Sequence, residues 1–283
     1  MAEILDGRVV SKHLNKETKE KVEKLIETGV NPTLAIMRAD QNPASIQYEK
    51  SAARFMKKVG IETKHVVFPE GTSQNEFLEE LDCLNSDQNI HGILVMQPLP
   101  ENIDLKAVAE HISPTKDIDG MHALNLGKIM TEDHQGHLPS TVKAVMELLN
   151  YYKIGIARQE ITVIGKSNTV GKPLTVLLLN QGATVSNCHT ATNDLKKYTR
   201  NSDIVITATG DIGLITKEHV KNGAVVIDVG FNFEGGKAFG DVAYEEVAEV
   251  AAKITPVPGG VGSVTTASLA QQVTHAAEWL QKK

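Results

Sequence analysis

The residues best suited to chemistry form one short stretch, Val163-Ile164-Gly165-Lys166-Ser167-Asn168-Thr169-Val170-Gly171-Lys172-Pro173-Leu174. It carries two glycines, two lysines and two hydroxyl residues, and its first glycine closes the apolar run ITVIG (161–165). That composition fits a turn holding a phosphate between a strand and a helix. The triphosphate loop G-x-x-x-x-G-K needs a glycine five residues before its Gly-Lys pair. Glu160 and Lys166 occupy the two places where it would stand. The dinucleotide fingerprint G-x-G-x-x-G fails as well, because Ser167 takes the place of its second glycine. What remains is a strand, a glycine turn and a helix opening near Gly171-Lys172-Pro173. Proline suits a helix's first turn, and the free N–H groups and dipole there attract an anion. A tight strand-to-helix turn with no ligand is the plainer alternative, since such turns occur throughout α/β domains.

Further along, the end of the next strand should choose the cofactor. In dinucleotide folds an acid about 20 residues on bonds the ribose 2′-hydroxyl of NAD. Here the segment reads SNCHTAT (186–192), without Asp or Glu. Lys166 offers a cation and Thr190 a hydroxyl to a 2′-phosphate instead. The expectation is NADP, with NAD as the alternative. Asp194, just beyond, is the carboxylate that argues the other way.

These residues need a scaffold, and the chain supplies a regular one. Apolar runs at 33–39, 63–68, 92–96, 161–165, 183–188, 203–209 and 224–230 alternate with amphipathic stretches such as SKHLNKETKEKVEKLIE. Strands separated by helical patterns mean βαβ units and parallel sheets. From 161 onward the runs are nearly continuous in Val and Ile, as for strands covered on both faces. Periodicity lapses at 116–141, where glycines and polar residues take over, and the domain boundary is placed there. The expected fold is two-domain α/β. An N-terminal three-layer α/β domain holds three βα units, and a Rossmann-like NAD(P)-binding domain has a parallel sheet starting at Ile161. The tail from Val264 reads as one long helix packing back on the first domain.

Bulk properties narrow the class. A chain of 283 residues, 41% apolar and 23% charged, has room for two cores. A net charge of -6 argues against nucleic-acid or anionic-membrane surfaces. No apolar run reaches the roughly 18 residues of a membrane span, and MAEILDGRVVSKHL has no signal-peptide core. Cys83 and Cys188 lack any C-x-x-C partner, and the ten histidines lack ligand spacing. Reduced thiols in the cytoplasm and no metal are the expectations.

Four motifs in chain order, KDIDG (116–120), VIGKSNTVGKP (163–173), GDVAY (240–244) and TPVPGGVGSVT (255–265), resemble the bacterial bifunctional methylenetetrahydrofolate dehydrogenase/cyclohydrolase family. The resemblance runs along essentially the whole chain, and the last motif is the most specific. It implies a folate-binding, catalytic domain of residues 1–120 plus 266–283. It also implies an NADP-binding domain of residues 121–265, a cleft between them, a homodimer and a place in one-carbon and purine metabolism. The implied reaction moves a hydride from 5,10-methylenetetrahydrofolate to NADP+, giving the methenyl cation, which family members usually hydrolyse to 10-formyltetrahydrofolate. By the same resemblance Asp119 grips the aminopyrimidine edge of the pterin, and Tyr48 lies under the folate's aromatic linker. Pro258, Gly259 and Gly262 let backbone approach the folate. Thr141, Gly165, Lys166, Ser167, Thr190, Phe231 and Thr265 carry over to the cofactor. Without that context Tyr48 reads as a packing residue, His189 as a satisfied structural histidine, and Asp117 as a loop carboxylate bonding nearby amides.

The chain also departs from that pattern. The family motif Ser-x-x-Tyr-x-x-x-Lys is met by Ser45 and Tyr48, but Ala52 stands at the lysine. Lys50 points about 200° round the helix from Tyr48 and is a poor substitute. The family's V-Q-L-P-L-P here reads Val95-Met96-Gln97-Pro98-Leu99-Pro100, so Met96 takes the glutamine's position unless a bulge restores Gln97. Both missing residues serve hydrolysis in the family, so the expected enzyme is a dehydrogenase with weak or absent cyclohydrolase activity. Smaller departures are Ser140 for Cys, Ser263-Val264 for Pro-Met, and Lys166 for Arg. The competing readings are a fully bifunctional enzyme, a non-catalytic folate binder, a kinase-like phosphate loop and a shikimate-type dehydrogenase. KDIDG and TPVPGGVG argue against the last.

Overall fold

In chain order the first elements are β1 (Glu3–Ile4), α1 (Gly7–Glu27), β2 (Thr33–Arg38), α2 (Pro43–Lys58), β3 (Glu62–Val67), α3 (Gln74–Ser86) and β4 (Gly92–Val95). Then come α4 (Leu105–His111), α5 (Ala123–Met130), α6 (Ser140–Tyr151), β5 (Glu160–Ile164), α7 (Gly171–Asn180), β6 (Thr184–Cys188) and α8 (Leu195–Thr199). The last are β7 (Ile204–Thr207), β8 (Val225–Asp228), β9 (Asn232–Glu234), β10 (Lys237–Phe239), α9 (Tyr244–Val247), β11 (Lys253–Ile254) and α10 (Gly262–Leu280). This computed structural model describes residues 2–281. They form two compact units: residues 13–140 with 266–281, and residues 2–12 with 141–265.

The first unit is built on a parallel sheet of order β3-β2-β4. Successive strand residues point to opposite faces, and β2 shows the consequence. Leu34 and Ile36 enter one core cluster with Met56, Leu94, Met96 and Ile118. Ala35 and Met37 enter another with Phe77, Leu81, Ile93 and Val95. Helices therefore cover both faces, giving the expected three layers. β3, paired on one side alone, is largely exposed. Helix α2 starts where Asn42 accepts from the Ala44 amide at 2.9 Å and Pro43 occupies the first turn.

The second unit holds six parallel strands in the order β1-β11-β8-β7-β5-β6. The chain leaves β5 for β6 on one side and returns to β7 on the other, so the strand order reverses beside β5. β7 is buried at every residue and β5 at all but its first. This is the both-faces-covered pattern that the Val/Ile runs announced.

Four features differ from the sequence reading. Residues 2–12 group with the six-stranded unit because β1 extends its sheet, Glu3 opposite Lys253 and Ile4 opposite Ile254. Residues 121–140 group with the three-stranded unit. The buried Asp117 carboxylate draws in the amides of Met121 at 3.0 Å and His122 at 2.8 Å, and Gln272 of α10 accepts from Leu138 N at 2.9 Å. Helix α5 lies inside the stretch expected to be irregular, and His122 Nδ1 caps it by accepting from Leu124 N at 3.0 Å. The hairpin β9–β10, turning on Gly235-Gly236, was also not anticipated. Among the described residues no helix is long and apolar enough to cross a membrane.

Candidate active site

The glycine turn leads from β5 into α7 by a path that leaves no room for side chains. Gly165 sits at φ +126°, and a Cβ there would lie 2.6 Å from the Ala208 carbonyl oxygen. A Cβ on Gly171 would collide with the carbonyl of Gly165. The Ser167 hydroxyl accepts from Val170 N at 3.1 Å and Gly171 N at 3.4 Å, setting the first turn of α7. Asn187 of β6 braces the same turn, donating to Gly165 O at 2.9 Å and Thr175 Oγ1 at 3.1 Å. A closed, glycine-lined turn at a helix N-terminus, where the strand order reverses, fits the pyrophosphate of a dinucleotide. Lys166 and Thr190 are exposed beside it, while Lys172 is engaged with Asn168 at 2.8 Å. His189 Nδ1 accepts from Ala191 N at 3.2 Å. Asp194, the residue that could have argued for NAD, is the cap of α8 and accepts from Lys197 N at 3.2 Å.

Tyr48 and Asp119 lie within electrostatic reach of each other in the three-stranded unit. Tyr48, on α2, is 40% exposed overall, yet its hydroxyl end is desolvated. Burial, and then the Asp119 carboxylate, push the phenol up to about 12, against a hydrogen bond with Thr266. Burial also drives Asp119 up to about 6, with Asp117 adding to the rise and Ser140 opposing it. Ser140 donates its amide to Asp119 Oδ1 at 3.3 Å and its hydroxyl to Ile118 O at 3.4 Å. The two aspartates of KDIDG thus have different surroundings. Asp117 is saturated by Met121 N, His122 N and, at 2.8 Å, Asn125 Nδ2. Asp119 is a desolvated carboxylate with a long amide contact, poised to accept further N–H donors. Neither Ser140 nor Thr266 stood out in the sequence as a partner, because each lies more than 20 positions from the residue it serves.

The two departures have clear structural settings. Ala52 is buried one turn along α2 from Tyr48, in the stripe Ser45, Glu49, Ala52 and Met56. Beyond β4 the ladder stays in register, since Met96 N donates to Met37 O at 2.9 Å. Met96 packs with Leu94 and Met56, whereas Gln97 is exposed with its amide 3.8 Å from Met121 Sδ. No bulge carries Gln97 to the face that Met96 occupies.

The remaining candidates lie in the six-stranded unit. Thr141 and Thr265 are half-buried, and the Thr265 hydroxyl is 3.3 Å from Val261 O. Phe231 is 62% exposed next to β9. Gly259 takes φ +112° and accepts from Gly7 N at 2.8 Å, and Pro258 beside it is exposed. A Cβ on Gly262 would meet no protein atom within 4 Å.

Comparison with known proteins places this arrangement. Residues 5–119 match the model for the tetrahydrofolate dehydrogenase/cyclohydrolase catalytic domain, and residues 139–281 match its NAD(P)-binding domain. The chain belongs to the tetrahydrofolate dehydrogenase/cyclohydrolase family. It is 44% identical over 275 residues to the bifunctional protein FolD of Helicobacter hepaticus, covering 97% of this chain and 96% of that one. The crystal structure of the bifunctional enzyme FolD from Campylobacter jejuni superposes with a TM-score of 0.96 at 42% identity, over 98% of this chain and 99% of that one. The FolD of Trypanosoma brucei, complexed with NADP cofactor and inhibitor, gives a TM-score of 0.95 at 33% identity over 100% and 99% of the two chains. Membership in this family of folate enzymes, with an NAD(P)-binding domain, accounts for the glycine turn and for the order of the motifs.

Proposed function

We propose that the protein oxidises 5,10-methylenetetrahydrofolate to the 5,10-methenyl form with NADP+, and that it hydrolyses the methenyl product weakly or not at all. The dehydrogenase half rests on the Tyr48–Asp119 pair in one unit and the glycine turn in the other. Bound NADP+ supplies the acceptor for the hydride that leaves the one-carbon bridge. The carbon left behind is stabilised by its two flanking nitrogens, so the protein's part is orientation and field, with no strong base required. Asp119, desolvated and short of donors, accepts the aminopyrimidine N–H groups of the pterin. Tyr48, with its proton held to about 12, stays neutral near pH 7 and offers a ring face and a hydroxyl rather than a base. Pro258, Gly259 and Gly262 give a backbone surface for the folate, and the open space at Gly262 is consistent with a glycine kept for a ligand. Lys166, Ser167 and Thr190 serve the phosphates, Thr141 and Thr265 offer hydroxyls, and Phe231 an apolar surface, to the rest of the cofactor.

The hydrolytic half requires a base near the methenyl carbon. The observation that argues against it is the buried pair of substitutions: Ala52 has no titratable group, and Met96 lies in the core with its strand register intact. A full bifunctional activity would need another proton carrier beside Tyr48. The experiment uses purified protein with methylenetetrahydrofolate and NADP+, reading NADPH absorbance and, separately, the decay of added methenyltetrahydrofolate. NADPH formation with methenyl decay at the buffer rate is expected. Absence of NADPH would overturn the dehydrogenase reading. Rapid decay abolished by Asp119→Ala would overturn the hydrolytic one. The family resemblance also supports a homodimer, which sedimentation at micromolar concentration tests, a monomer being the contrary result.

A further inference from the structure

The GDVAY motif has no role in the reading above, yet its aspartate lies at the ends of β7 and β8. Asp241 is fully buried. Its Oδ2 accepts from Thr207 Oγ1 at 2.8 Å and Thr209 N at 2.7 Å, and its Oδ1 accepts from Gly210 N at 2.9 Å. Behind it stands Asp228, 3% exposed. Asp228 Oδ1 accepts from Gly230 N at 3.0 Å and Asp241 N at 3.1 Å, and Oδ2 accepts from Val242 N at 3.0 Å. The Asp228 amide donates to Thr255 Oγ1 at 2.7 Å. Two carboxylates thus tie together the segments after β7, after β8 and before α9. The fit is close: a Cβ on Gly230 would collide with the Asp241 carboxylate, and one on Gly240 with that of Asp228.

The segment that Asp241 holds borders the glycine turn. Ala208 N donates to Ile164 O at 2.8 Å, and the Ala208 carbonyl is the atom a Gly165 Cβ would strike. β5 and β7 are neighbours at the point where the strand order reverses, and ligands of doubly wound sheets bind at the carboxyl ends of such strands. We infer that Asp241 is a positioning residue for the dinucleotide: backed by Asp228, it fixes Ala208–Gly210 as the wall facing Gly165–Ser167. This rests on the dinucleotide reading proposed above and adds to it the device that sets the crevice's width. Stability alone is a poor reason for the arrangement. Burying neighbouring carboxylates is unfavourable, as the rise of Asp228 to about 7 shows, and apolar residues commonly hold a core at least as well. Carboxylates can fix the direction of backbone amides, which apolar groups cannot.

The test compares wild type, Asp241→Asn and Thr207→Val by calorimetric titration with NADP+ alone, by thermal melting and by steady-state kinetics. Asp241→Asn turns one acceptor toward the Thr209 and Gly210 amides into a donor, whereas Thr207→Val disturbs the same carboxylate without touching either amide. The expected result is NADP+ affinity weakened about tenfold or more in Asp241→Asn, from the loss of charge-assisted bonds. Its KM for NADP+ should rise while its KM for methylenetetrahydrofolate holds, and Thr207→Val should keep near wild-type affinity despite a lower Tm. Folded Asp241→Asn with unchanged NADP+ affinity, or Thr207→Val weakened equally, overturns the inference. If Asp241→Asn does not fold, amide hydrogen exchange on the unaltered protein decides. Segment 207–213 should gain protection when NADP+ is added, and unchanged exchange there overturns the inference. A wild type that fails to bind NADP+ would instead overturn the dinucleotide reading itself.

Discussion

The phenol of Tyr48 lies within electrostatic reach of the Asp119 carboxylate, and each group shifts because water is excluded around it. A carboxylate in that position gains most when a ligand brings N–H donors. Asp119→Asn should therefore lower kcat/KM for methylenetetrahydrofolate by about a hundredfold or more, the worth of two charge-assisted hydrogen bonds. NADP+ affinity, measured without folate, should stay within about twofold of wild type. An equal loss for both ligands would point to a general folding defect and against a pterin contact.

The raised acids also predict how stability changes with pH. Asp119 at about 6 and Asp228 at about 7 both stand above the ordinary 3.8 in the folded chain. The folded state then binds more protons than the unfolded state, so each group's contribution falls as pH rises from about 4 to its folded value and is level above it. His91, His137 and His219 are held below 6.5, chiefly by burial, and pull the other way at acid pH. The clean measurement is a difference. The unfolding free energy of Asp228→Asn relative to wild type should climb between about pH 4 and about pH 7, by up to roughly 1.4 kcal/mol per pH unit, and then flatten. A difference that does not vary with pH would place the Asp228 proton elsewhere.

If hydrolysis is weak as proposed, supplying the lysine and glutamine of the family pattern should raise it. In Ala52→Lys the new ammonium would sit one turn from Tyr48 at a site now buried, which favours its neutral, basic form. Ala52→Lys/Met96→Gln should hydrolyse methenyltetrahydrofolate at least about tenfold faster than wild type, the low end of a positioned acid–base contribution. The glutamine replaces a core methionine, so a stability loss of about 1–3 kcal/mol should accompany it. Hydrolysis that stays at the buffer rate in the folded double variant would mean that these two positions do not account for the weak hydrolysis proposed above.

Much of this was legible in the sequence, and what was not has physical reasons. The apolar runs announced the central strands because a strand covered on both faces is mostly apolar, as β7 and β8 are up to Thr207 and Asp228 at their ends. The two-residue strands β1 and β11 carry no period and pair across some 250 positions, so nothing local announced them. The hairpin β9–β10 did carry a signal, the Gly235-Gly236 pair between FNFE and KAF, and could have been read. At the site, residue type and spacing singled out the glycine turn, whereas Tyr48 and Asp119 became candidates only through the family resemblance. The environments that tune them come from distant residues such as Ser140 and Thr266, which no spacing rule connects. The choice between Met96 and Gln97 needed the ladder itself, because a one-residue slip exchanges the two faces.

Helix α2, which carries Tyr48, is fastened to the sheet by charge. Arg38 Nε of β2 lies 2.6 Å from Glu49 Oε2, both side chains being under 9% exposed, and His65 Nδ1 of β3 contacts Glu49 Oε1 at 2.5 Å. Burial pushes the Glu49 carboxyl up, but the bonds from Arg38 and His65 outweigh it and hold the group below its usual range. Removing one partner from such a pair strands a buried charge, whereas removing both often costs little. Arg38→Leu should therefore lose about 3–5 kcal/mol in urea unfolding, and Arg38→Leu/Glu49→Leu should recover most of it. Because Glu49 adjoins Tyr48 on the helix, the single variant should also raise KM for methylenetetrahydrofolate, while KM for NADP+ holds. A double variant no more stable than Arg38→Leu would show that Arg38 acts through its aliphatic packing rather than through its charge.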